Sequence, residues 1–254
     1  MRQTTYEQPL NERIRLFLRL DFLFQQIDHT LPRDAAWDSR ATLASLLDIL
    51  NIFSRADLKT EVIMELERIS AGLARLEQTP GVDHKMLTSL LDEIDRLVDL
   101  LHSCQGQIGH QLRQNEFLNS IKQRSSISGG ACDFDLPSYH YWLERSVEKR
   151  LEELQLWISS FDDIRASISL ILKLIRDSAT STNEIAESGF FQRTLETSAP
   201  FQLIRVTMPE NIPCFAEISG GKHRFTVRFM STNFQDRPTQ SSQDISFILT
   251  TCAI

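Results

Sequence analysis

The sequence predicts an α+β fold: a multi-helix bundle containing a long antiparallel helical hairpin, followed by a small antiparallel β-sheet domain. Three observations carry this. Up to about residue 178, leucine and isoleucine recur at helical spacing and glycine and proline are sparse. Beyond about residue 188, short β-branched and aromatic runs alternate with turn residues. Between them, DSATSTNEIAESG is polar and mostly small, as domain boundaries are. The expected division is an α-helical domain over 1–180 and an antiparallel β-strand domain over 187–254.

The first helix is expected to begin near residues 9–11, where Pro9 and Asn11 mark a start. Its Leu10, Ile14, Phe17, Leu18, Phe22, Leu23 and Ile27 cover more than one stripe, the pattern of a helix packed between neighbours. A second helix covers about 35–53. Val62, Leu66, Ile69, Leu73 and Leu76 are spaced 4-3-4-3, and Leu87, Leu90, Ile94, Leu97 and Leu101 are spaced 3-4-3-4. Both are seam patterns separated by the turn TPGVD, which predicts the helical hairpin. One helix over 111–123 and two more over 146–160 and 162–179 complete the bundle. Their core candidates are Leu151, Leu154, Ile158, Ile164, Ile168, Ile171 and Ile175.

Five strands are expected, over 190–197, 201–207, 214–219, 223–230 and 245–251. Gly220, Gly221 and Lys222 join the third and fourth as a hairpin. In the fourth strand Phe225, Val227 and Phe229 alternate with Arg224, Thr226 and Arg228. One face is therefore apolar and the other carries two arginines.

Bulk properties exclude several classes. The 254 residues carry a formal charge of −7, so the average field repels a nucleic-acid backbone. The hydrophobic share of 41% and charged share of 24% are those of an ordinary soluble protein. Cys104, Cys132, Cys214 and Cys252 form no CxxC pair, and residues 1–11 lack an apolar export core. Reduced thiols in a cytoplasm are expected. No apolar run reaches the roughly 18 residues of a membrane-spanning helix.

The segment SSISGGACDFDLPSYHYW, residues 125–142, is unlike its surroundings. It lacks the lysine of a phosphate-binding loop. Cys132 and His140 form a weak nucleophile–base pair, because nothing near in sequence would lower the thiol pKa. His29, His84, His102, His110 and His223 are scattered, and Asp133 and Asp135 lack the other calcium-loop ligands, so no metal is expected. The structural reading is a glycine turn followed by a helix with Asp135 as N-cap and Pro137 in its first turn. Tyr139 and Trp142 then anchor the core, and two readings of His140 stay open: a structural histidine, or one that points outward beside the glycine turn.

The basic residues give a second signal. Arg15 and Arg19 are four apart, as are Arg55 and Lys59, while Arg113, Lys122 and Arg124 flank the glycine turn. Solvated charge on a helix face explains most of these. Arg224 and Arg228, with Lys222, are different: two arginines on one strand face repel unless something anionic neutralises them. A peptide bearing carboxylates would do so.

The blocks PLNERIRLFLRLDFLFQQ, LKTEVIMELER, SISGGACDFDLPSYHYWL and ISGGKHRFTVRFM, in this order and spacing, resemble the ZapD family of Z-ring-associated proteins, and they span essentially the whole chain. The third block is the most specific, although the family more usually has proline where Ser128 stands. The resemblance implies a helical domain followed by a small β-domain, a homodimer, and no catalytic activity, metal or cofactor. It implies a cytoplasmic protein of the mid-cell division ring. Such a protein binds the C-terminal tail of FtsZ, which carries carboxylates and apolar anchors, and bundles FtsZ filaments. On the matching positions it assigns tail binding to Arg19, Arg55, His140, Arg224 and Arg228, with Lys59, Arg113, Arg124 and Lys222 further out. Glu116 stands where the family pattern can be basic. Two other classes stay open: a helical adaptor for another partner, and a small-molecule enzyme using the Gly129–Gly130 turn with His140, which needs a deep pocket with convergent polar groups.

Overall fold

The structure, a computed structural model, describes every residue except Met1, Arg55, Ala56, residues 197–199 and Lys222. It has the predicted α+β class, with the helices mostly N-terminal and most strands of the antiparallel sheets after them. Two compact units divide the chain: Arg19–Leu170, and Met1–Leu18 together with Ile171–Ile254.

The helical unit holds most of α1 (Glu12–Thr30), then α2 (Ala36–Phe53), α3 (Leu58–Ala74), α4 (His84–Ser103), α5 (His110–Arg113), α6 (Glu116–Ser125), α7 (Pro137–Leu143), α8 (Val147–Ser159) and the start of α9 (Asp162–Asp177). Helix starts are set by side chains that satisfy orphan amides. Asn11 accepts from Ile14 N (2.9 Å), Asp83 from Met86 N (3.0 Å) and Asn115 from Leu118 N (3.1 Å). The last of these corrects the expected helix over 111–123. Two helices stand there, because Asn115 ends one turn and caps the next.

The helical hairpin is α3 against α4. Lys59 Nζ, at the start of α3, donates to the Cys104 carbonyl just beyond α4 (2.7 Å), so the two helices run antiparallel. Val62, Leu66, Ile69, Ile94, Leu97 and Leu101 are buried in its seam. The seam frays toward the turn: Leu73 is half-buried, and Leu76, expected in the seam, lies exposed in a 3₁₀ turn over Arg75–Gln78. Phe22, a core candidate of the first helix, is also exposed, at 59%.

The second unit contains two four-stranded antiparallel sheets. Its strands are β1 (Gln3–Pro9), β2 (Ala179–Ala186), β3 (Phe190–Thr194), β4 (Phe201–Pro209), β5 (Phe215–Gly220), β6 (Arg224–Ser231), β7 (Thr239–Gln240) and β8 (Ile245–Ala253). One sheet has the order β1-β4-β8-β2, and the other the order β3-β6-β5 with β7 on β6. The five expected strands are present, and β1, β2 and β7 are additions. Residues 3–9, expected in the helical domain, pair with β4, and residues 179–186, most of the expected boundary stretch, pair with β8.

The apolar sides of both sheets share one core. Ile204, Val206 and Met208 from β4 and Phe247 and Leu249 from β8 join Phe225, Val227 and Phe229 from β6. Period-two alternation produces this, since every second side chain of a strand faces one way. Glu7 on β1 is held by Arg176 of α9 through two bonds (3.0 and 2.9 Å) and by Arg205 of β4 (3.0 Å).

Candidate functional site

Two exposed surfaces carry the chemistry that the sequence singles out, one in each unit. The first is the outer face of the sheet β3-β6-β5. Burying Phe225, Val227 and Phe229 forces Arg224, Thr226 and Arg228 outward. Register places Arg228 between Phe190 of β3 and Glu217 of β5, and Arg224 opposite Thr194. Phe190 remains 38% exposed beside the guanidinium. Among the described residues, neither Arg224 nor Arg228 has a carboxylate within ion-pair distance, although Glu217 is directly across the strand pair. Lys222 lies outside the described residues.

The second surface is built around the glycine turn in the helical unit. Gly129 has φ +74, a conformation that glycine adopts without a Cβ penalty. Gly130 is buried so closely that a Cβ would lie 2.5 Å from the Arg124 carbonyl oxygen and 2.9 Å from Ile127 Cβ. The chain then enters α7 through Pro137. Its N-cap is Leu136, with no side-chain bond, which corrects the expected role of Asp135. The Asp135 carboxylate is engaged elsewhere: Cys132 Sγ donates to it (3.3 Å), and Arg124 Nη1 lies 3.6 Å away.

Below the turn, Tyr139 and Trp142 are buried as expected and join a cluster with Phe117 and Trp157. Trp142 Nε1 donates to Glu153 (2.6 Å), which also receives Arg145 (2.6 Å). Burial pushes the Tyr139 phenol up to about 12, against a smaller opposing effect of Arg40, so it stays neutral.

Above the turn, charged and apolar groups meet in a groove of about 760 Å³ lined by Trp37, Arg40, Ile127, Gly130, Asp133 and Phe134, among others. Trp37, Ile127 and Phe134 are 78%, 52% and 83% exposed. Arg40 Nη1 donates to the Ala131 carbonyl (3.2 Å). Its guanidinium carbon lies 5.2 Å from the Trp37 ring centroid and 4.8 Å from that of Tyr139, both within cation–π range. Asp133 sits between His140 Nδ1 (3.2 Å) and Arg40 Nη2 (3.9 Å). The groove is wide open, unlike the deep, convergent pocket that a small-molecule enzyme needs.

The expected site residues therefore fall into groups. Arg124 and His140 meet at the glycine turn, each beside an aspartate. Lys59 and Arg113 meet around the 104–108 loop, where both are engaged: Lys59 on Cys104 O, and Arg113 on Ile108 O (3.1 Å) and Gln107 Oε1 (2.8 Å). Arg19 is exposed on α1, Glu116 is exposed at the start of α6, and Arg55 lies outside the described residues. Sequence reasoning did not select Trp37 and Arg40. Their signal was a tryptophan and an arginine three apart near the start of α2, one helical face, with nothing local to link them to a turn about 90 residues later.

Among the described residues, no helix is long and apolar enough to cross a membrane. A family model described as ZapD, cell division protein, matches residues 18–228. The chain is 45% identical over 252 residues to the cell division protein ZapD of Methylococcus capsulatus, covering 99% of both chains. It is 39% identical over 249 residues to that of Nitrosomonas eutropha, covering 98% of this chain and 99% of the relative. It is 37% identical over 252 residues to that of Coxiella burnetii, covering 98% of both. With a matching family model over most of its length and relatives aligned nearly end to end, the chain belongs to the ZapD family of cell division proteins.

Proposed function

We propose that this protein acts in cell division as a non-enzymatic cross-linker: as a homodimer in the cytoplasm at the mid-cell ring, it binds the C-terminal tails of FtsZ and bundles FtsZ filaments. The observation that carries the reading is the pair Arg224 and Arg228, exposed on one strand face with no carboxylate partner among the described residues. An acidic peptide laid along the strand would answer both guanidinium groups with charge-assisted bonds. Phe190 beside Arg228 offers an apolar contact to the same peptide. Arg19, exposed on α1, and Arg124 and His140 at the glycine turn are further cations of the proposed tail-binding set.

A dimer supports bundling because a two-fold axis duplicates a single peptide site. Each copy takes the tail of a different filament. Weak individual contacts then hold a bundle through effective concentration. The test is co-sedimentation of FtsZ bundles with the double variant Arg224→Ala/Arg228→Glu, with the oligomeric state followed by analytical ultracentrifugation. The expected result is an intact dimer and loss of bundling. Bundling at the wild-type level rejects the assigned face, and a monomeric wild-type protein rejects the cross-linking mechanism.

A further inference from the structure

The sheet β1-β4-β8-β2 has two unlike edges. On β1, the charge of Glu7 is held by Arg176 and Arg205, Pro9 closes the strand, and β5 packs beside it. β2 carries none of the devices that keep an edge strand from pairing. Its residues, ATSTNEIA, contain no lysine or proline, and they follow β8 without a register shift. Its one charge, Glu184, is already bonded by Thr182 (2.7 Å) and by Arg193 of β3 (2.5 Å). Among the described residues, the backbone of residues 179–185 makes hydrogen bonds only toward β8.

Both faces of β2 are also uncovered. Residues 179–183 are exposed on each side of the sheet, and Ile185 is 59% exposed. The strand is held by one ladder alone. What completes it is read from its own residues. A two-fold axis perpendicular to the sheet reverses strand direction and keeps each face on its own side. Centred on Thr182, it sets Thr182 against Thr182, Ser181 against Asn183, Thr180 against Glu184 and Ala179 against Ile185. These are hydroxyl–hydroxyl, hydroxyl–amide, hydroxyl–carboxylate and apolar pairs, and no like charges meet. Centring on Glu184 would oppose two carboxylates. A nucleic acid or an anionic lipid surface finds no cation on β2 to hold it.

We infer that β2 pairs antiparallel with β2 of a second copy, in the register centred on Thr182, so that two four-stranded sheets become one continuous sheet. A single polar strand pair covers less than the roughly 1,200 Å² of a stable complex. The contact is therefore weak and concentration-driven, and it is distinct from the homodimer proposed above. Its effect is to join homodimers, since a second two-fold contact on a two-fold dimer propagates. Gathering of copies along a bundle raises the local concentration that favours it.

Analytical ultracentrifugation of the full-length protein over rising concentration tests the inference. The wild type is expected to grow in mass beyond the homodimer. Thr182→Lys sets two ammonium groups against each other across the axis, and Thr182→Glu sets two carboxylates. Each is expected to weaken the association about fivefold, the scale of one opposed charge pair. Mixing the two variants in equal amounts sets ammonium against carboxylate and restores association. Thermal unfolding of each variant verifies folding. A wild type of constant mass overturns the inference, as does undiminished association in both charged variants. Weakening that mixing does not reverse overturns the two-fold register. The mass at the lowest concentration reports the homodimer by itself, so that reading and this one fail separately.

Discussion

Arginine does opposite work in the two units. In the helical unit, Arg150 of α8 is 5% exposed and surrounded by acceptors that the fold supplies. It donates to Ser39 Oγ (3.2 Å), Leu143 O (2.9 Å), Asp34 O (2.8 Å) and Arg145 O. These acceptors belong to α2, to the segment before it and to the turn after α7, so one guanidinium ties three stretches of chain together. On the sheet β3-β6-β5, Arg224 and Arg228 have no such acceptors among the described residues and are exposed. The lesson is that residue type does not decide the role of an arginine. A guanidinium whose donors are answered by backbone carbonyls is architecture, and one whose donors are unanswered is available to a partner.

The comparison breaks first at Arg150. Arg150→Ala leaves several carbonyls buried without partners and is expected to lower stability by about 3 kcal/mol or more. Arg224→Ala/Arg228→Glu is expected to stay within about 0.5 kcal/mol of wild type. Urea unfolding of the two variants decides the matter, and equal midpoints would remove the distinction. A smaller effect belongs to the turn. Gly130→Ala forces a Cβ against the Arg124 carbonyl, at an expected cost of about 1–3 kcal/mol from overpacking, read as a lowered Tm. An unchanged Tm would mean that the turn opens freely. The smallest effect sharpens an intermediate case. Lys59→Ala removes one bond to Cys104 O and is expected to cost about 1 kcal/mol with tail affinity intact. If affinity falls while stability holds, Lys59 joins the open cations instead.

Much of the fold was legible because it rests on periodicity. The seams of α3 and α4 and the alternation of β6 are local signals, and burial follows them except near the hairpin turn, where Leu76 has no neighbour to cover it. What the sequence hid is edge structure. β1 (QTTYEQP) and β2 (ATSTNEIA) are the outer strands of their sheet and carry mostly exposed or half-buried side chains, so neither shows an apolar alternation. A polar edge strand and a polar linker look alike in composition. At the site, Arg124, His140 and the glycine turn were readable as one short block. Trp37 and Arg40 were not, because only tertiary folding brings α2 to that turn. Asp135 was misread because a carboxylate before Leu136–Pro137 satisfies the capping pattern, while in three dimensions Cys132 and Arg124 hold it first.

The strand order of the sheet β1-β4-β8-β2 constrains how the protein is made. β8, the latest strand in chain order, lies in its middle, with β4 on one side and β2 on the other. The outer strand β1 reaches β4 only through pairs such as Gln3 with Pro209, closing a loop of about 200 residues. A growing chain on the ribosome can therefore assemble the Arg19–Leu170 helices well before this sheet exists. Its first strand must wait unpaired until nearly the whole chain has emerged. The arginines of β6 gain a settled platform at about the same time, so the face proposed for peptide binding is completed late in synthesis, and a chain interrupted before β8 would carry helices without a finished sheet.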